Sequence, residues 1–253
     1  MHHIFLQEEG HGKLSSEINS LYWELKARKY PITLFTPKKL YRRQLPLNRH
    51  SFLAGDIPIV LSALKQLKIP EPKTNDYPDS LQKFLHRKIW KSSLASLEWK
   101  LHQGIEQPIF AKPARRRKQF TGRVFHSFHD LWYVSGTSRK EEIFFSEVVS
   151  WISEYRVYVT RAEIVGIHYY SGDSDTLLNE TVVFDAIRCL EKAGESVAGY
   201  SLDFGVLATG ETALIEMNDG FSLGNYGLKN KTYTDLVLTR WEELMSSCED
   251  AAL

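Results

Sequence analysis

The sequence predicts an α+β fold over residues 76–253, preceded by a small α/β unit over residues 1–75. Three observations predict it. Strand-like and helix-like runs alternate at the start; a proline-rich stretch then breaks all periodicity; beyond Ile109, short β-rich runs follow one another with only two helical stretches among them. The chain has 253 residues, 43% hydrophobic and 25% charged, which excludes disordered and fibrous architectures.

Taken in order, Ile4 to Leu6 is a short apolar strand, and Gly10-His11-Gly12-Lys13 a turn. Leu14, Ile18, Leu21, Tyr22 and Leu25 then recur at helical spacing. Ile32 to Phe35 reads as a second strand and Ile57 to Leu67 as an amphipathic helix. The segment from Ile69 to Pro78 holds three prolines and reads as the linker. Leu81 to Leu101 carries apolar residues suited to one helix, or two joined by a bend. Strands are expected at Pro108 to Pro113, Arg123 to Phe128, Ile143 to Val149, Glu154 to Thr160, Ile164 to Tyr170, Tyr200 to Leu207 and Thr212 to Asn218. Helices are expected at Thr181 to Ala193 and Tyr233 to Ser247.

With 32 Lys+Arg against 31 Asp+Glu, the net charge of +1 gives no global footprint for nucleic acid or an acidic membrane. Cys189 and Cys248 lack CxxC spacing, and the acidic N-terminus lacks the run of a signal peptide. No apolar run approaches the roughly 20 residues of a membrane helix, so a cytoplasmic protein is expected. Gly10-His11-Gly12 lacks the third glycine of a dinucleotide fingerprint, and a plain strand-to-helix turn accounts for it better. His126 and His129 have no third metal ligand in view. The Arg115-Arg116-Arg117-Lys118 run beside Phe120 is the one feature that would suit nucleic acid, and such a run is usually a solvated loop.

The chemistry concentrates near the C-terminal end. With Thr209-Gly210 at a hairpin tip, Leu202, Phe204 and Val206 face Met217, Ile215 and Ala213. The same register sets Asp203 opposite Glu216, with Asn218 on that side. Facing carboxylates repel, and nothing on that face supplies a neighbouring basic residue, so either a hard cation such as Mg²⁺ sits between them or they point into water. Upstream, the proline of Lys112-Pro113 forces Lys112 into extended geometry, and Lys118 lies on a loop with Gly122; two such lysines suit a polyphosphate. Alternation places Glu154 and Arg156 on one face and Tyr155, Val157 and Val159 on the other.

In this order and spacing the chain resembles the ATP-grasp superfamily, and in particular its R-two-K clade. The resemblance runs from about Leu81 to the end, and the N-terminal unit resembles the usual small α/β neighbour of that fold. It is carried by Tyr77-Pro78 with Leu81 and Arg87, Phe110-Ala-Lys112-Pro113, Lys118-x-Phe120-Thr-Gly122, Ser146-Glu147, Ser153-Glu154-Tyr-Arg156, Leu202-Asp203-Phe, and the run from Glu216 through Asn218-Asp219-Gly220 to Ser222, Gly224, Tyr226 and Gly227. The resemblance implies two α+β subdomains clamping ATP. Lys112 would contact the phosphates, with Lys118 or the Arg115 to Arg117 run closing over them beside Gly122. Glu147, Val148 and Val149 would hold adenine, Glu154 the ribose, and Asp203, Glu216 and Asn218 the Mg²⁺.

Arg156 would take the γ-phosphate or an acyl phosphate, since a guanidinium binds two oxygens at once. The implied activity is carboxylate-amine ligation through an acyl phosphate, with ATP, a small-molecule or peptide carboxylate and an amine as partners. The acceptor is expected beside the Gly220 to Gly227 loop, where Ser222, Asn225 and Tyr226 offer polar contacts. The rival readings are a kinase of the same architecture, a nucleotide-binding module without turnover, and a nucleic-acid-binding protein.

Overall fold

The computed structural model describes residues 3–115 and 120–246. Lys118, Arg116 and Arg117 therefore lie outside the described residues, as does Cys248. The N-terminal unit is a parallel sheet of β1 (His3–Gln7), β2 (Ile32–Phe35) and β3 (Ser51–Ala54), in the order β2-β1-β3. It carries α1 (Ser16–Ala27), a short α2 (Pro37–Tyr41) and α3 (Ile57–Gln66). α1 begins where the Ser15 hydroxyl accepts the Ile18 N–H and ends with Lys26 in its last turn, and it buries Ile18, Leu21 and Leu25 on one stripe. The sequence reading missed α2 and β3. Four-residue β3 is buried along its length, so it shows no alternation to read.

Two antiparallel four-stranded sheets follow. The first runs β4 (Ile89–Ser93), β7 (Glu142–Glu147), β5 (Ile109–Pro113) and β6 (Arg123–Phe125). The second runs β11 (Thr212–Asp219), β10 (Gly199–Leu207), β8 (Trp151–Thr160) and β9 (Glu163–Gly172). α4 (Leu94–Gln103) packs on the first sheet and α5 (Glu180–Ala193) on the second, while the final helix α6 (Asn230–Ser246) docks against α1.

The helix expected over Leu81 to Leu101 is a correction. Asp79–Phe84 forms a 3₁₀ helix, β4 follows, and only then does α4 begin, capped by the Ser93 hydroxyl on the Ser96 N–H. β4 is an edge strand whose residues are half-buried or exposed, so its apolar content resembles that of a surface helix.

Burial divides the molecule into three cores. Leu202, Phe204, Val157 and Val159 meet Val183, Ile187 and Leu190 of α5 on one face of the second sheet. On its other side Tyr158, Phe221 and Leu223 join the N-terminal unit and Trp241 of α6 in the largest core. The first sheet has a smaller core of Leu97, Ala111, Phe125, Ile143 and Phe145 among its main members. The segment Val148 to Ser150 joins β7 to β8 and so connects the two four-stranded sheets.

Candidate active site

A cleft of about 510 Å³ opens between the two four-stranded sheets. Lys112, Gly122, Arg156, Asp203, Glu216 and Asn218 all line it. Glu147, Val148, Val149 and Glu154 lie outside that lining. Glu147 turns its carboxylate back to accept the Lys88 N–H at 2.8 Å, and Val148 is exposed on the connecting segment. Glu154 stays on the cleft side of β8 through Tyr170, whose hydroxyl donates to it at 3.0 Å and whose ring lines the cleft.

The hairpin brings Asp203 opposite Glu216, and Leu202 opposite Met217, as the spacing predicts. Beyond Asp203 the register slips: Phe204 faces Leu214 and Val206 faces Thr212, leaving Ile215 as the extra residue of a β-bulge. Arg87 caps that bulge. Its guanidinium donates to the carbonyls of Leu214 (2.7 Å), Ile215 (2.8 Å) and Leu85 (3.1 Å), and to the Ser146 hydroxyl (3.2 Å).

The expectation that no basic residue offsets the two carboxylates is overturned. β8 lies beside β10 with Arg156 in register with Asp203, and the pair is bidentate, Nε to Oδ1 at 2.7 Å and Nη2 to Oδ2 at 2.6 Å. Lys112 Nζ reaches across from the other sheet to Glu216 Oε2 and to Asp76 Oδ2, each at 2.6 Å, with the Tyr77 ring 4.6 Å away. Asn218 donates its amide to Asp203 Oδ2 at 3.2 Å. Among the described residues no three His, Cys, Asp or Glu side chains form a metal cluster; the third oxygen donor here belongs to an amide.

Burial governs the ionisation of this set. It pushes the Asp203 carboxyl up to about 6, even with Arg156 pulling it down, and Glu216 and Glu154 add to the rise. Burial also opposes charge on Glu216, yet Lys112 outweighs it and holds that carboxyl below the usual range. For Lys112 the cost of burial is outweighed by Glu216, Tyr77 and Asp76, so its ammonium is held charged. Gly122 is required by close packing: a Cβ there would stand 2.9 Å from both Lys112 Cβ and Phe110 Cζ.

Asp76 and Arg240 have no role in the sequence reading, and Tyr226 enters it only as a motif residue and a polar contact for the acceptor. Asp76 lies in the linker, where no periodicity marks it. Arg240 of α6 is buried and grips Asp219 through Nε (2.8 Å) and Nη2 (2.9 Å), fixing the end of β11 just after Asn218. Tyr226 lies under Arg156, with 4.7 Å from guanidinium to ring, and stacks on Tyr170 at 5.1 Å.

Two antiparallel sheets closing on a cleft that holds one lysine from one sheet, and an arginine and two carboxylates from the other, make up the ATP-grasp architecture. The family model for the ATP-grasp domain of the R-two-K clade, family 2, matches residues 84–236, and the chain belongs to that family. Solved structures agree on the fold. The chain is similar to D-alanine–D-alanine ligase from Bacillus anthracis (14% identity, 98% of this chain and 99% of that one, TM-score 0.56). It is similar to D-alanyl-alanine synthetase A from Vibrio cholerae (13% identity, 94% and 98%, TM-score 0.59) and to N5-carboxyaminoimidazole ribonucleotide synthetase from Thermotoga maritima (14% identity, 94% and 76%, TM-score 0.56). At these identities the likeness is one of fold. Comparison with curated proteins gave no match. Among the described residues no helix is long and apolar enough to cross a membrane.

Proposed function

We propose that the chain is an ATP- and Mg²⁺-dependent ligase that joins a carboxylate to an amine through an acyl phosphate, working in the cytoplasm. In this reading residues 1–75 form the domain that precedes the ATP-grasp domain of residues 76–253. The observation that carries it is the convergence of Lys112, Arg156, Asp203, Glu216 and Asn218 on one cleft. The similar solved structures support the same reading, being a D-alanine–D-alanine ligase, a D-alanyl-alanine synthetase and an N5-carboxyaminoimidazole ribonucleotide synthetase.

The donor set fits Mg²⁺: two carboxylates and one amide, all oxygen donors, side by side on β10 and β11. Asp203, Glu216 and Asn218 would hold the ion, which would supply charge neutralisation on the transferring phosphoryl group. Lys112 and Arg156 now neutralise those same carboxylates. Bound phosphate oxygens would compete for both cations, so each has a partner before the nucleotide arrives and another afterwards. Lys112 contacts the phosphates, with Lys118 from the loop beyond it and Gly122 beneath; Glu147, Val148 and Val149 take adenine along the connecting segment, and Glu154 takes the ribose. A substrate carboxylate oxygen attacks the γ-phosphorus and ADP leaves, with Arg156 holding the developing charge. The amine nitrogen then attacks the acyl carbon and the bond from that carbon to the phosphate oxygen breaks. Of the two protons the ammonium gives up, one ends on the released phosphate and the other in solvent. Closure of the two sheets excludes water, which would otherwise hydrolyse the acyl phosphate.

Hydroxylamine intercepts acyl phosphates, so purified protein with ATP, Mg²⁺ and a pool of amino acids and short peptides is expected to give hydroxamate with ADP and phosphate. AMP and pyrophosphate in their place, or a stable phosphorylated alcohol without hydroxamate, would overturn the acyl-phosphate route.

A further inference from the structure

Charge is divided unevenly along the chain. Residues 1–75 hold 12 Lys and Arg against 6 Asp and Glu, a net charge of +6, so the rest of this +1 chain stands at −5. Within residues 25–55 there are 8 Lys and Arg and no Asp or Glu. An asymmetry of this kind points to a surface for an acidic partner. The fold shows where it gathers. Lys38, Lys39, Arg42 and Arg43 are exposed on and just after α2, and Lys65 and Lys68 are exposed at the end of α3. Gln66 ties the two helices together, its Nε2 donating to the Leu40 carbonyl at 2.9 Å. None of these six cations pairs with an acidic side chain among the described residues. Exposed cations elsewhere do find such partners, as Lys13 with Glu9, Arg139 with Glu98 and Lys231 with Asp235.

A groove of about 840 Å³ runs along α3 on this side and shares no lining residue with the cleft. Pro58, Leu61, Ser62 and Lys65 recur at helical spacing, so one stripe of α3 forms its length. Leu61 and Ile69, each 4% exposed, give it an apolar floor. Tyr41, 57% exposed, stands at its rim one turn beyond Lys38. Lys65 and Lys68 flank it, and Glu71 is its one carboxylate among the described residues. A merely solvated basic face needs neither a concavity nor an aliphatic floor. A nucleic-acid strand would ask for successive ring platforms, and Tyr41 is the one aromatic residue of the described lining. The aliphatic floor and basic rim together match a chain that presents carboxylates beside leucine-like side chains.

We infer that this groove docks an acidic, leucine-bearing segment of a protein partner. The aliphatic side chains lie over Leu61 and Ile69, and the carboxylates meet Lys65, Lys68 and the cations of α2. The inference goes beyond the ligase reading and stands independently of it, because the groove is separate from the cleft.

The test is fluorescence anisotropy of the whole chain with labelled probes of equal length: repeats of Glu-Glu-Leu, Gln-Gln-Leu and Glu-Glu-Ser, and single-stranded oligothymidylate. The Glu-Glu-Leu peptide is expected to bind saturably at about 150 mM salt. The Gln-Gln-Leu and Glu-Glu-Ser peptides should each bind at least about tenfold more weakly, one lacking the charge and the other the apolar contact. Lys65→Glu combined with Lys68→Glu should weaken the Glu-Glu-Leu peptide at least about tenfold, whereas Lys140→Glu combined with Lys192→Glu, an equal change of charge on the other half of the chain, should leave it unchanged. The melting temperature of each variant serves as the fold control, and its rise with ATP and Mg²⁺ reports the nucleotide site separately. The proposal is overturned by absent binding at that salt concentration, by equal binding of the Gln-Gln-Leu or Glu-Glu-Ser peptide, or by undiminished binding to a folded Lys65→Glu/Lys68→Glu protein. Tighter binding of oligothymidylate would assign the surface to nucleic acid instead, and displacement of the peptide by ATP with Mg²⁺ would move it into the cleft.

Discussion

The two four-stranded sheets both line the cleft but are built differently. β10, at the centre of the second sheet, is buried at all nine positions, and the sheet is covered on both faces, by α5 on one and by the N-terminal unit with α6 on the other. The first sheet has one modest core, and the helical segments that cover it leave Trp99 and Trp132 at 63% and 74% exposure. The groups that make the bidentate pair, Arg156 and Asp203, stand on the heavily covered sheet. Lys112, which must reach across the cleft, stands on the lightly covered one. Local stability follows buried apolar contact, so the fixed half of the site and the adjustable half are assigned by packing.

That contrast is easiest to break at its centre. Phe204→Ala should cost about 3–5 kcal/mol in a denaturant titration, and amide exchange in wild-type protein should find β10 slower than β4; equal exchange would erase the distinction. Lys112→Ala should next cut ADP release in the hydroxylamine assay at least about a hundredfold with the fold retained by circular dichroism, because the proposed function has this lysine of the lighter sheet act on the nucleotide and not on a core. A variant that kept its rate would remove the first sheet from the chemistry.

Glu216→Gln sharpens the comparison across the cleft. Taken alone, facing carboxylates would make this substitution neutral or stabilising. Because Glu216 is the ion-pair partner of Lys112, it should instead destabilise metal-free protein by about 1–3 kcal/mol, read as a lower melting temperature. The smallest effect belongs to Asp130, on the 3₁₀ helix Phe128–Val134 of the lighter sheet. The N–H groups of His126 (2.7 Å) and Ser127 (3.0 Å) donate to its Oδ2 and hold its carboxyl below the usual range. Asp130→Ala should cost about 1 kcal/mol at neutral pH. A depressed carboxyl stabilises above its unfolded pKa, so the gap between wild type and variant should narrow as pH falls below about 4. A gap that is constant across that range would refute the assignment.

Residues whose partners lie close along the chain were legible in the sequence. Asp203 and Glu216 could be paired by counting outward from Thr209-Gly210, because a hairpin register is local. The count failed one residue later, at Ile215, since what stabilises the bulge is Arg87, more than a hundred residues upstream. The Arg156–Asp203 pair was hidden for a related reason: it depends on β8 lying beside β10 while β9, its neighbour in sequence, takes the sheet edge. Asp76 was hidden by its place among prolines, where neither period 2 nor period 3.6 applies.

Arg87 has a mechanical consequence. Its donors end on Ser146 of one sheet and on Leu214 and Ile215 of the other, beside Trp151 where the connection between them arrives. That makes the guanidinium a fulcrum. For any rotation of one sheet against the other about such a point, displacement grows in proportion to the lever arm, so atoms next to Ser146 barely travel while the far edge at β6 sweeps furthest. The end of the cleft proposed to hold the phosphates, with Gly122 just ahead of β6, lies toward the long end of that lever, and the segment expected to hold adenine lies at the short end. On the proposed function, a jaw so arranged would grip the base at nearly constant spacing while the opening over the phosphates changes.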